Sequence, residues 1–146
     1  MKISHYIVIL LVTMIISCKD QKQNNAASEQ KMDVVSVNFN TIEGAGSEPN
    51  WSISIIKNDS VNFTFELVTM LGTKRNKGML TLKDAPKTQA NGSYHFIGKD
   101  VSGQAIDITY IEQSCLNMAE ENLGGAIRVK YNEDVLNGCA KMVKNQ

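Results

Sequence analysis

An all-β fold is predicted for this chain, a small antiparallel barrel or sandwich of seven to eight strands. Three observations predict it. From residue 34 onward the apolar residues recur with period two, the spacing of a half-buried strand. Turn-forming clusters punctuate those runs every ten residues or so. Only one short stretch, near 116–123, carries helical spacing.

The runs appear in order along the chain. Val35, Val37 and Phe39 alternate with polar neighbours, and Trp51, Ile53 and Ile55 do the same. Val61, Phe63, Phe65 and Leu67 follow, then Leu80 and Leu82, Tyr94 and Phe96, Ile106, Ile108 and Tyr110, and finally Ile127, Val129 and Tyr131. Between them lie Lys57-Asn-Asp-Ser60, Lys74-Arg-Asn-Lys-Gly78, Ala90-Asn-Gly92, Gly98-Lys-Asp100 and Asn132-Glu-Asp134, rich in the residues that turns use. Strands with one apolar face make a meander, and closing it removes exposed edges while the apolar faces meet inside. Cys115–Leu123 places Leu116, Ala119 and Leu123 near a helical repeat, but such a length is marginal for a helix, and a turn held by Cys115 fits equally well.

The beginning of the chain stands apart from this pattern. Lys2 precedes an apolar run from Tyr6 to Ile16, which as a helix would rise about 16 Å, half the thickness of a bilayer core. Residues 1–17 therefore read as a signal peptide to be set aside from fold reasoning. Its end, Ile15-Ile16-Ser17-Cys18, resembles the bacterial lipobox, in which the peptide is cut before an obligatory cysteine and that cysteine is acylated. The resemblance implies a lipidated Cys18 and a membrane attachment stronger than one acyl chain provides. It further implies a cell-envelope location, Lys19 at the next position favouring the outer membrane; Cys18-Lys19-Asp20 also resembles the acidic export tags of surface-exposed lipoproteins, so a periplasmic and a surface-facing anchor both fit. Residues 18–33 follow as a lipidated flexible tether, almost free of apolar side chains, with a reach of roughly 20 Å. A single β domain is expected over 34–146.

Composition bounds the chemistry. The chain has 146 residues with 15 basic and 15 acidic side chains, so no basic face argues for nucleic acid. Of its two histidines, His5 leaves with the signal, and His95 alone remains for metal or triad chemistry. His95 alternates with Tyr94 and Phe96 and is expected to face solvent. No metal, cofactor or catalytic residue is expected. Two carboxylate pairs, Glu43 with Glu48 and Asp107 with Glu112, are the only starting points for a glycosidase reading, which needs carboxyls about 5–9.5 Å apart in a cleft. Ordinary solvated surface explains them as well. With Cys18 committed to lipid, Cys115 and Cys139 are left in an exported chain and most simply pair with each other. That bond would contribute about 3–3.5 kcal/mol by loop-closure entropy.

The least ordinary local sequence is Gly44-Ala-Gly46-Ser-Glu48-Pro49-Asn-Trp51. It reads as a tight loop in which Gly46 and Pro49 shape the backbone and Trp51 is aimed into the core. The same loop offers Glu43, Ser47, Glu48 and Asn50 as a recognition surface. Together with Cys115-Leu-Asn-Met118, Glu120, Glu121 and Gly138-Cys139-Ala140, this motif resembles a family of small, mostly uncharacterised bacterial envelope lipoproteins. Its members carry Gly-x-Glu-Pro-x-Trp, a cysteine followed by an acidic Met-containing loop, and a closing Gly-Cys-Ala. Here Ala119-Glu-Glu-Asn122 replaces that loop's usual small-acidic-basic run. The family is distantly similar to β domains of the lysozyme-inhibitor and META types. The resemblance implies a membrane-anchored, noncatalytic β-barrel that binds a protein or small-molecule ligand through its loops. A second expectation, from a different class, is an inhibitor of lysozyme-type muramidases that inserts residues 43–50.

Overall fold

The computed structural model describes residues 37–84 and 92–144. The expected signal peptide, Cys18, the tether, Val35 and the Ala90-Asn91 part of one turn lie outside the described residues.

Eight strands follow one another: β1 Thr41–Ser47, β2 Asn50–Lys57, β3 Asn62–Thr69, β4 Lys74–Asp84, β5 Ser93–Asp100, β6 Ala105–Glu112, β7 Gly125–Tyr131 and β8 Asp134–Val143. Each pairs antiparallel with the next, and β8 returns to pair with β1, so the sheet is a closed barrel rather than a sandwich. Alternation does the sorting. Ile53 and Ile55 of β2, Phe63, Phe65 and Leu67 of β3, Ile108 and Tyr110 of β6, and Ile127 and Val129 of β7 all point inward and are buried. Eight strands enclose an interior that side chains just fill. Each large apolar group so buried contributes about 1.5–3 kcal/mol. The outer face carries Glu66, Arg75, Lys77, Lys99, Arg128 and Lys130, with Arg75 and Lys77 both bonded to Glu66 at 2.6 and 3.0 Å. Apolar inside and charged outside is the reverse of a membrane-spanning barrel.

Several expectations change. Val37 and Phe39 are buried as foreseen but lie outside any strand. Phe39 instead plugs one end, its ring 5.7 Å from Phe63 and edge-on to Tyr94 at 5.3 Å. The first strand begins at Thr41, so most of the residues read as a glycine loop are strand β1. Likewise Lys74–Gly78 and Gly98–Asp100, read as turns, belong to β4 and β5. Arg75, Lys77 and Lys99 face outward while Asn76 and Asp100 lie on the inward face, and the glycines sit where the neighbouring strand's backbone comes closest. A β-carbon on Gly98 would collide with the Met79 carbonyl, and one on Gly78 with that of Lys99. The last strand, β8, was not marked by apolar alternation at all.

No helix forms near 116–123. The segment 113–124 is a loop with a single bridge between Leu116 and Asn122. Two asparagines replace helical hydrogen bonding. The Asn117 carboxamide oxygen accepts from Ala119 N and Glu121 N at 2.9 Å each. Asn122 accepts from Cys115 N at 3.2 Å and Gly124 N at 3.0 Å. Such local bonds compete directly with a helix. The one 3-10 turn among the described residues is Met70–Gly72.

A meander of eight strands sorts its connections by end. The turns 48–49, 70–73, 101–104 and 132–133 share one end, here the rim. The other is the plug end, where the β2–β3 turn and residues 37–40 lie. There Asn40 N donates to Val143 O at 2.9 Å and Lys57 Nζ to Val37 O at 2.7 Å.

Candidate functional site

The Gly-rich motif forms a hairpin with a two-residue turn. Ser47 pairs with Asn50, leaving Glu48 and Pro49 at the tip, joined by a cis peptide bond. The expected loop 43–50 is therefore divided. Ser47, Glu48 and Asn50 stand exposed at the rim, whereas Glu43 sits within β1 on the outer wall, 3.8 Å from Lys141 of the paired strand.

Trp51, the chain's only tryptophan, is 2% exposed just inside this hairpin. Its place depends on two missing side chains. A β-carbon on Gly46 would collide with the indole nitrogen and lie 2.5 Å from Asn137 O. One on Gly138 would come within 2.9 Å of the ring and strike the Ala45 carbonyl. Gly46 lies within β1 rather than in a turn, and what it contributes is the space it leaves beside the Trp51 ring. The indole N–H is buried and has no hydrogen-bond partner among the described residues, which costs about 1–3 kcal/mol relative to a bonded group.

The second wall comes from the loop 113–124. Cys115 and Cys139 are joined, with Cα atoms 5.5 Å apart and sulfurs 2.01 Å apart. The bond lies on the outside of the barrel because Cys139 is in register with Ala45 and Ala126, both on the outer face of their strands. It lays residues 115–119 along β8 toward the β1–β2 hairpin. Between the two runs a groove of about 590 Å³, lined by Ala45, Ser47, Asn50, Leu116, Met118 and Asn137, with Glu48 at its lip and Trp51 at its inner wall. Leu116 and Met118 are largely exposed. An apolar trough with a few convergent amides, a hydroxyl and one carboxylate suits noncovalent binding.

The remaining titratable groups lie elsewhere. His95 is on the outer face as expected, but it is partly covered rather than free in solvent. Its ring spans β4 and β6, with Nε2 3.2 Å from Asp107 and Nδ1 3.6 Å from Asp84. Asp107 faces outward against that ring, and Glu112, an odd number of residues later on the same strand, points to the other face. The pair does not converge on one cleft. Glu43 and Glu48 are separated in the same way, one on the wall and one at the rim.

Sequence reasoning missed Asp100. It is 8% exposed inside the rim, where its carboxylate accepts from Ser102 Oγ at 2.6 Å, Ser102 N at 2.8 Å, Gln104 N at 2.9 Å and Tyr131 Oη at 2.5 Å. The Ser102 hydroxyl first, then the Tyr131 phenol, hold its pKa down to about 2. Burial, with the Asp100 bond, pushes Tyr131 up to about 12. The signal was available as Asp-x-Ser, the spacing of a side chain that bonds the backbone two residues on.

The chain matches no family model, no curated protein and no solved structure.

Proposed function

We propose that this protein is a noncatalytic binding module of the bacterial envelope, held to a membrane by acylated Cys18, and that the groove beside Trp51 is its binding surface. The observation that carries the reading is the groove itself. Ser47, Glu48 and Asn50, three of the four residues expected as a recognition surface, lie together on one side of it without Glu43, and the disulfide holds Leu116 and Met118 opposite them. The inward side chains of the barrel are almost all buried, which favours a binding surface on the outside or the rim. The lipobox-like Ile15-Ile16-Ser17-Cys18 supports the anchor, and residues 18–33 supply the tether.

The test uses the full chain and Nile red, a neutral dye whose emission reports apolar surroundings. Saturable energy transfer from Trp51 to the dye is expected, and Met118→Glu should weaken it several-fold. Transfer that is unchanged by Met118→Glu removes the groove from consideration. For the anchor, palmitate labelling in a bacterial host should vanish with Cys18→Ala; labelling that persists refutes it.

One observation favours a second reading. Glu48 stands at the tip of a stiff two-residue hairpin, a shape able to enter an enzyme cleft. If the protein is a muramidase inhibitor, micromolar full chain slows a chicken-type lysozyme and Glu48→Ala abolishes the effect. No inhibition at that concentration eliminates this alternative.

A further inference from the structure

A second concavity, distinct from the groove, lies in the mouth of the barrel at the rim. It measures about 540 Å³ and is walled by three of the four rim turns: Pro49 and Asn50 from β1–β2, Met70, Leu71 and Lys74 from β3–β4, and Asn132 and Asp134 from β7–β8. Tyr131 and Leu136, both buried, form its floor. In a ring of eight strands the β3–β4 and β7–β8 turns are diametrically opposed, so Lys74 and Asp134 face each other across the mouth. Among the described residues neither has an ion-pair partner within 4 Å.

The β3–β4 turn has a feature that folding does not explain. Met70 and Leu71 adopt φ of 52° and 53°, the left-handed region, followed by Gly72 at 89°. Large side chains avoid that backbone, at about 1–2 kcal/mol per residue. Packing offers them nothing in return, since Met70 is 67% and Leu71 82% exposed. Asparagine and glycine would make the same turn without strain. Backbone strain of this kind collects at ligand clamps, where it holds side chains ready for an occupant.

We infer that the barrel mouth binds a short apolar peptide with free termini, its carboxylate on Lys74, its ammonium on Asp134 and its side chains between Met70, Leu71 and the Leu136 floor. The two opposed and unpaired charges select a zwitterion. The volume suits a small ligand and is far below what a folded partner would cover. The amides of Asn50, on the hairpin between the two charged walls, and of Asn132, beside Asp134, line the same mouth and are the donors and acceptors that a peptide backbone requires. The site shares only the β1–β2 hairpin with the groove and does not depend on the anchor.

Calorimetric titration of the full chain with Ala-Leu-Ala tests this. Saturable binding is expected, and capping both peptide ends by acetylation and amidation should weaken it. Lys74→Ala and Asp134→Ala should each lower affinity for the free peptide by roughly two- to five-fold, the range of exposed charge pairs, and leave the capped peptide unaffected. Both side chains are exposed, so the variants should fold. A second variant pair, Met70→Asn with Leu71→Gly, should raise the melting temperature and weaken binding together. No heat with the free peptide at millimolar concentration overturns the proposal, as does affinity indifferent to capping and to both charge substitutions. A Met70→Asn, Leu71→Gly protein that melts lower while binding unchanged would show the turn to be structural, and would overturn the clamp.

Discussion

Replacing Phe39 with alanine asks whether the segment leading into β1 is part of the barrel or only precedes it. The ring is fully buried, stacks on Phe63 at 5.7 Å and meets Tyr94 and Phe96 edge-on at 5.3 and 6.5 Å. Among the described residues of its own segment, only Val37 is buried beside it at the plug end. Deleting a buried phenylalanine costs about 3–5 kcal/mol, from lost transfer energy and the cavity left behind. The surroundings resist collapse here, because Phe63 and Phe96 belong to paired strands that cannot move inward independently. A value near 4 kcal/mol is therefore expected, a large part of the about 5–15 kcal/mol that holds a domain together. Urea unfolding followed by Trp51 emission measures it. With a slope of about 2 kcal/mol per molar, the midpoint should fall by about 2 M at unchanged slope. Phe39→Leu should lose less than half as much. A loss below about 1 kcal/mol for Phe39→Ala would show that the plug is dispensable, and that burial alone misjudges this segment.

Three further outcomes follow from particular contacts. Cys115→Ser with Cys139→Ser opens a loop with a sequence separation of 24 and should cost about 2–4 kcal/mol in chemical unfolding, together with loss of Nile red binding as the groove's second wall comes free. Gly46→Ala forces a methyl group against the Trp51 indole and the Asn137 carbonyl; a loss of about 1–3 kcal/mol and a red-shifted tryptophan emission are expected, and wild-type values for both would refute the space argument. Asp100 is held at about 2 in the folded barrel, below the about 3.9 of an unfolded aspartate. Its charged form therefore stabilises the fold fully above pH 4, and that contribution disappears as the pH falls from about 4 through 2. Asp100→Asn should flatten melting temperature against pH in that window, and an unaltered slope would place acid sensitivity elsewhere.

Alternation made six of the eight strands recognisable in the sequence, because Ile53, Phe63, Phe65, Ile108 and Val129 each announce an inward face. β1 and β8 were hidden for one physical reason: they supply the small side of a packed interior. Gly44 leaves room for Ile127, and Gly46 and Gly138 for Trp51. A strand that contributes vacancy rather than bulk has no hydrophobic rhythm to read. Val37 and Phe39 misled in the opposite sense, since alternation records burial and says nothing of whether a ladder of hydrogen bonds accompanies it. The groove was half legible. Ser47, Glu48 and Asn50 drew notice through their turn chemistry, and the disulfide through the cysteine count. That Cys139 faces outward, and so carries Leu116 and Met118 to the hairpin, depends on strand register, which no local pattern encodes. Lys74 and Asp134 were invisible as a pair because only ring closure sets them across from each other.

The seam between the first and last strands has a practical corollary. Asn40 and Val143 are hydrogen-bonded neighbours at the plug end, so a fluorescent protein fused beyond Val143 would leave the barrel on the side away from the hairpin tips. Such a tagged molecule should keep its rim unobstructed, which makes carboxyl-terminal labelling the natural choice for watching this protein in living cells.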